Sequence, residues 1–99
     1  MESGYKILWT DHALKELAEA YEYLEHNFTE EELRKLSIDL DKVLKLLARS
    51  PSIFPISEFI GTRRVVIKKY NTLYYREKND CIEIVSFFSN RKSPNKRQI

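Results

Sequence analysis

The hydrophobic period of this 99-residue chain changes once, and that change limits the folds open to it. Before residue 50, apolar side chains recur at spacings of three and four; from Arg64 onward they alternate. A period near 3.6 belongs to amphipathic helices and a period of two to half-buried strands. Leu14, Leu17, Ala18, Tyr21, Leu24 and Phe28 form one helical stripe, with Glu16, Glu19, Glu22 and Glu25 read as its solvated face. Leu33, Leu36, Leu40, Val43, Leu44 and Leu47 form a second. Between them, Thr29-Glu30-Glu31-Glu32 has the form of a capping box, and its glutamates suit the positive end of a helix dipole. Ser50-Pro51 ends the second helix, because a residue before proline disfavours the helical region. So short a link predicts an antiparallel helix hairpin.

Ahead of the helices, Tyr5-Lys6-Ile7-Leu8-Trp9 alternates and predicts a strand, followed by N-cap oxygens from Thr10 and Asp11. Behind them, Arg64 to Lys69, Thr72 to Glu77 and Cys81 to Phe88 predict three strands of a β-meander, with turns at Tyr70-Asn71 and Lys78-Asn79-Asp80. In the last strand, strict alternation places Ile82, Ile84 and Phe88 on one face and Cys81, Glu83, Val85 and Phe87 on the other. The expected fold is α+β in the order β-α-α-β-β-β, a helix hairpin packed on a mainly antiparallel four-stranded sheet. The whole chain reads as one domain: strand 5–9, helices 11–26 and 30–49, connector 51–62, meander 64–88 and basic tail 89–99.

Charge divides the chain at nearly the same point. Residues 1–60 carry seven basic and twelve acidic side chains, a net −5; residues 61–99 carry ten and three, a net +7. A basic half of this kind points to an anionic partner, either nucleic acid or an acidic protein segment. Arg63, Arg64, Lys68, Lys69, Arg76, Lys78, Arg91, Lys92, Lys96 and Arg97 are the contributors, and pairing of adjacent strands is expected to gather them. Tyr70, Tyr74 and Tyr75 lie among them as candidate stacking or hydrogen-bonding groups. The lack of a leader pattern or an apolar run of membrane-spanning length predicts a cytoplasmic protein with no membrane partner. One cysteine and two distant histidines predict no disulfide framework, no metal and no cofactor. No phosphate-binding glycine loop or nucleophile–base motif is present.

The opening Tyr5-Lys6-Ile7-Leu8-Trp9-Thr10, the stretch Leu73-Tyr74-Tyr75-Arg76, and the run from Ile84 to Pro94 resemble the RelE/ParE superfamily of toxins from type II toxin–antitoxin modules. The resemblance covers nearly the full chain and is nearer to the ParE-like branch. It implies a cognate antitoxin as partner and a role of the plasmid-stabilisation kind. It also implies one of two activities. ParE-like members inhibit DNA gyrase; RelE-like members cut mRNA on the ribosome. A nuclease here would depend on Arg91, Lys68, Lys69 and Tyr74. Arg91 matches the arginine after the last strand of RelE-like nucleases, but Thr72 stands where they place another arginine. No histidine follows His26, and nothing aromatic follows Phe88. Lysine and tyrosine titrate near pH 10, a poor acid–base set near neutrality. The departures favour gyrase inhibition, with Arg64, Lys68, Arg76, Arg91 and Lys92 as partner-binding residues.

Overall fold

A computed structural model of the protein describes residues 4–59, 61–68 and 70–89. The chain runs β1 (Lys6–Trp9), α1 (Asp11–Asn27), α2 (Glu30–Arg49), β2 (Arg63–Ile67), β3 (Asn71–Lys78) and β4 (Cys81–Ser89). The four strands form one mixed sheet in the order β1-β4-β3-β2. β1 pairs parallel to β4, and the other pairs are antiparallel. The expected α+β fold and its element order are therefore present.

Both helices start where the sequence supplies an oxygen. Thr10 Oγ1 accepts from the Ala13 N–H at 3.1 Å, and Thr29 Oγ1 from the Glu32 N–H at 3.3 Å. Each satisfies a backbone donor that the first helical turn leaves orphaned. The helices cover one face of the sheet. Ala13, Ala20 and Leu24 of α1 and Leu36, Leu40 and Leu47 of α2 are buried against Val65, Ile67, Leu73, Tyr75, Ile82, Ile84 and Phe87. The Tyr21 hydroxyl and Ser37 Oγ, 2.7 Å apart, tie the two helices together.

The α1 stripe is rotated from the expected one. Leu14 and Phe28 are exposed, as is Ala18, while Ala13 and Ala20 are buried. Small alanines let the helix approach β4 closely, so the buried line follows backbone proximity rather than side-chain size.

Three further expectations are corrected at the strands. β2 ends at Ile67, not Lys69. Lys68 adopts a left-handed φ of 54°, and the Tyr70 N–H donates to the Lys68 carbonyl at 2.6 Å. Asn71 is not a turn residue. It opens β3, is buried, and donates from Nδ2 to the Ile67 carbonyl at 3.2 Å. Tyr75 is a core residue and no stacking platform: it is fully buried, and its hydroxyl donates to the Pro51 carbonyl at 2.7 Å.

A further correction concerns β4. Tyr74 pairs with Ser86 and Tyr75 with Ile84, so Val85 is an extra residue in a β-bulge. The bulge shifts the alternation by one. Phe87, not Phe88, follows Ile82 and Ile84 into the core.

Burial pushes the Tyr75 phenol above its ordinary value near 10, with Arg63 opposing. The folded state thus favours the neutral phenol. Its contribution is complete below about pH 10 and is lost as pH rises through the raised folded value. Tyr75→Phe is expected to cost about 1–2 kcal/mol at neutral pH, because the buried Pro51 carbonyl loses its donor. It is also expected to flatten the fall in stability from about pH 10 upward. Urea midpoints from neutral pH through that range check both effects; an unchanged alkaline slope would show that Tyr75 does not titrate with unfolding.

Candidate functional site

Among the described residues, the helices leave the other face of the sheet uncovered. Register and alternation place four rows of side chains across it. Lys6, Cys81 and Lys78 form the first; Leu8, Glu83 and Arg76 the second; Ser86, Tyr74 and Arg64 the third; Phe88, Thr72 and Val66 the fourth. Val66 is 57% exposed. The Arg76 Nε atom lies 2.6 Å from Glu83 Oε1, a cross-strand ion pair in the second row.

Ser57, Glu58 and Phe59, with Gly61 and Thr62, curl over the third row. Ser57 N–H donates to the Thr62 carbonyl at 2.9 Å, and the two hydroxyl oxygens are 2.6 Å apart. Gly61, at φ 80°, provides the left-handed step that closes this loop, a conformation glycine adopts without steric cost. The loop presents Glu58 and Phe59 to the sheet. Glu58 accepts a hydrogen bond from the Tyr74 hydroxyl at 3.3 Å and lies 3.4 Å from Arg64 Nη1. The Phe59 ring meets Tyr74 edge-on, with centroids 5.1 Å apart. Burial and then the Glu58 charge hold the Tyr74 phenol above its ordinary range, with Arg64 opposing. Glu58, Phe59, Tyr74, Ser86 and Phe88 line a cavity of about 260 Å³. The bulge is what turns Phe88 to this face.

The bulge is held by a residue the sequence reading assigned to a solvated helix face. Glu16 Oε1 accepts from the Ser86 hydroxyl at 2.7 Å and from the Phe87 N–H at 2.8 Å. β1 pairs with β4 only as far as Ile84, and the Thr10 N–H donates to the Ile84 carbonyl before the chain turns into α1. Beyond that point, among the described residues, β4 has no strand on its β1 side. The Glu16 carboxylate takes the place of the missing strand carbonyl. His12 Nε2 lies 3.3 Å from the other carboxylate oxygen and is mostly exposed.

Among the described residues, the candidate cations do not meet in one patch. Arg64 and Arg76 share the uncovered face, each beside a carboxylate. Arg63 points inward and donates from Nη1 to the Phe54 carbonyl at 2.7 Å. Lys68 lies beyond the end of β2, and its Nζ is 3.6 Å from Asp39 on α2, on the helix side of the sheet. Tyr74 is on the opposite side. Lys69, Arg91 and Lys92 lie outside the described residues. Among the described residues, no group of three His, Cys, Asp or Glu side chains is placed to hold a metal. No described helix is long and apolar enough to cross a membrane. Sequence reasoning missed Glu58, Phe59 and Glu16 as parts of this region. Glu58-Phe59 before a glycine was the available signal for the loop; nothing local marked Glu16.

No curated protein matches this chain by sequence. In structure it is similar to a chain of the chromosomal ParDE toxin–antitoxin system from P. aeruginosa, at a TM-score of 0.73 and 20% identity over 86% of this chain and 95% of that one. It is also similar to a chain of the E. coli DinJ-YafQ toxin–antitoxin complex, at a TM-score of 0.60 and 11% identity over 92% of this chain and 98% of that one. These two likenesses establish the shared fold. Family membership rests on a sequence profile described as the ParE toxin of the type II toxin–antitoxin system parDE, which matches residues 7–94. With nearly the whole chain matched, this protein belongs to the ParE toxin family of type II toxin–antitoxin systems.

Proposed function

We propose that this ParE-type toxin acts by inhibiting DNA gyrase as a non-catalytic binder, and that a cognate antitoxin neutralises it. Membership of the ParE family supports the antitoxin. The observation that carries gyrase over RNA cleavage is the separation of Lys68 from Tyr74. Cleavage at a 2′-hydroxyl needs cations around the phosphorane and an acid–base group within reach of it. Lys68 is engaged by Asp39 on the helix side, and Tyr74 by Glu58 on the other. The Tyr74 phenol is also shifted upward, away from the range where it would serve as a base. Under this reading Arg64 and Arg76, with Arg91 and Lys92, contact partner surfaces and cut no bond.

The purified toxin is expected to inhibit gyrase supercoiling in molar excess, and the antitoxin to restore it. Unimpaired supercoiling, together with mRNA cleavage in a translating extract, would transfer the protein to the ribosome-dependent nuclease reading.

A further inference from the structure

The uncovered sheet face holds a cavity with the properties of an anchor site. Three of its five lining residues are aromatic: Phe59, Tyr74 and Phe88. Its volume of about 260 Å³ suits one large side chain. The edge-on contact between Phe59 and Tyr74 orients both rings before anything binds, although Phe59 remains 55% exposed. Rigid aromatic walls of this kind are where the strongest contacts of protein interfaces concentrate.

The charge beside the cavity specifies the partner. Arg64 faces Glu58 at 3.4 Å, and Tyr74 donates to the same carboxylate at 3.3 Å. Both contacts are long, and the Arg64 and Glu58 side chains are about half exposed. An exposed pair of this kind contributes about 0–1 kcal/mol, so an incoming carboxylate displaces Glu58 from Arg64 at small cost. Among the described residues, the same face carries Lys6, Arg76 and Lys78 against Glu83, and the Glu16 carboxylate reaches its edge at Ser86. The surplus is positive and favours an acidic segment.

We propose that this cavity anchors an acidic segment of the antitoxin, which seats one large apolar side chain between Phe59 and Phe88 and sets a carboxylate on Arg64 in place of Glu58. Glu58 is then an internal competitor that holds the site in the free toxin. This inference rests on the antitoxin reading above.

The test is calorimetric titration of the full toxin with the full cognate antitoxin. Phe88→Ala and Arg64→Glu are each expected to weaken binding by about tenfold or more, as loss of a central anchor does. Glu58→Ala is expected to tighten it by up to about fivefold, the value of the contact it gives up. Glu22→Ala on α1 removes the same charge elsewhere and is expected to leave binding unchanged. An equal gain there would assign the Glu58 effect to net charge and overturn the competitor role. Hydrogen exchange on the wild-type complex, which needs no variant to fold, is expected to show added protection at Glu58 and Phe59, which lie outside the strand ladder. Wild-type binding without that protection, or unaffected by Phe88→Ala and Arg64→Glu, overturns the anchor and leaves the toxin reading standing. Failure of the wild type to bind removes the antitoxin reading and the anchor with it. Binding of single-stranded oligothymidylate that is lost in Phe88→Ala would make the cavity a base site and overturn the assignment.

Discussion

Phe87→Ala is expected to lower the stability of this protein by about 3–5 kcal/mol, whereas Phe88→Ala, one residue away, costs under about 1 kcal/mol. Phe87 is 1% exposed and sits in the cluster formed by both helices and β2–β4. Its removal loses the transfer free energy of the ring and leaves a cavity that close-packed neighbours fill only in part. Phe88 is half-buried on the opposite face. A domain of this length has about 5–15 kcal/mol in total, so the first change removes a third or more of it at the middle of that range. Urea unfolding checks the pair: the midpoint falls steeply for Phe87→Ala and little for Phe88→Ala, with unchanged slopes. Equal midpoints would mean that the bulge at Val85 does not set the facing of these two rings.

The second large effect concerns what pins that bulge. Glu16→Ala is expected to cost about 2–3 kcal/mol, more than a surface glutamate ordinarily would. One carboxylate oxygen accepts both the Ser86 hydroxyl and the Phe87 N–H, at 2.7 and 2.8 Å. Bonds to an ionised acceptor are about twice as strong as neutral ones, and among the described residues the Phe87 donor has no strand on that side to turn to. His12, exposed and 3.3 Å from the other oxygen, adds little. Glu16→Gln keeps an acceptor without the charge and is expected to lose roughly half as much. Ser86→Ala and Glu16→Ala are expected to be non-additive, because both act through the same oxygen. Native-state hydrogen exchange is the direct readout. The Phe87 amide is expected to exchange faster in Glu16→Ala; unchanged protection there would show that the carboxylate does not close the edge of β4.

The elements and their order are legible in the sequence because they rest on local rules. The helix starts follow from the Thr10 and Thr29 oxygens, the stop at Arg49 from Ser50-Pro51, and the strands from alternation. Each of these acts within a few residues. The candidate site was legible in fewer of its parts. Arg64, Tyr74 and Arg76 are on the uncovered face, as strand alternation implies. Lys68 left that set because the chain turns left-handed there and its side chain meets Asp39, 29 residues earlier in the chain. Tyr75 left it because position 75 alternates with Tyr74 and falls on the helix side.

The α+β order, the helix caps, the acidic and basic halves and the ParE family can all be read along the linear chain. These depend on periodicity, composition and motifs, which need no knowledge of what lies across the fold. Which phenylalanine enters the core, what Glu16 does, and the cavity that Glu58 and Phe59 wall with Phe88 emerge only when distant segments pack together. A bulge is one residue of register between two strands, and register is fixed by how the sheet as a whole buries its face. Glu16 and Phe87 are 71 positions apart, so no local pattern in the chain couples them.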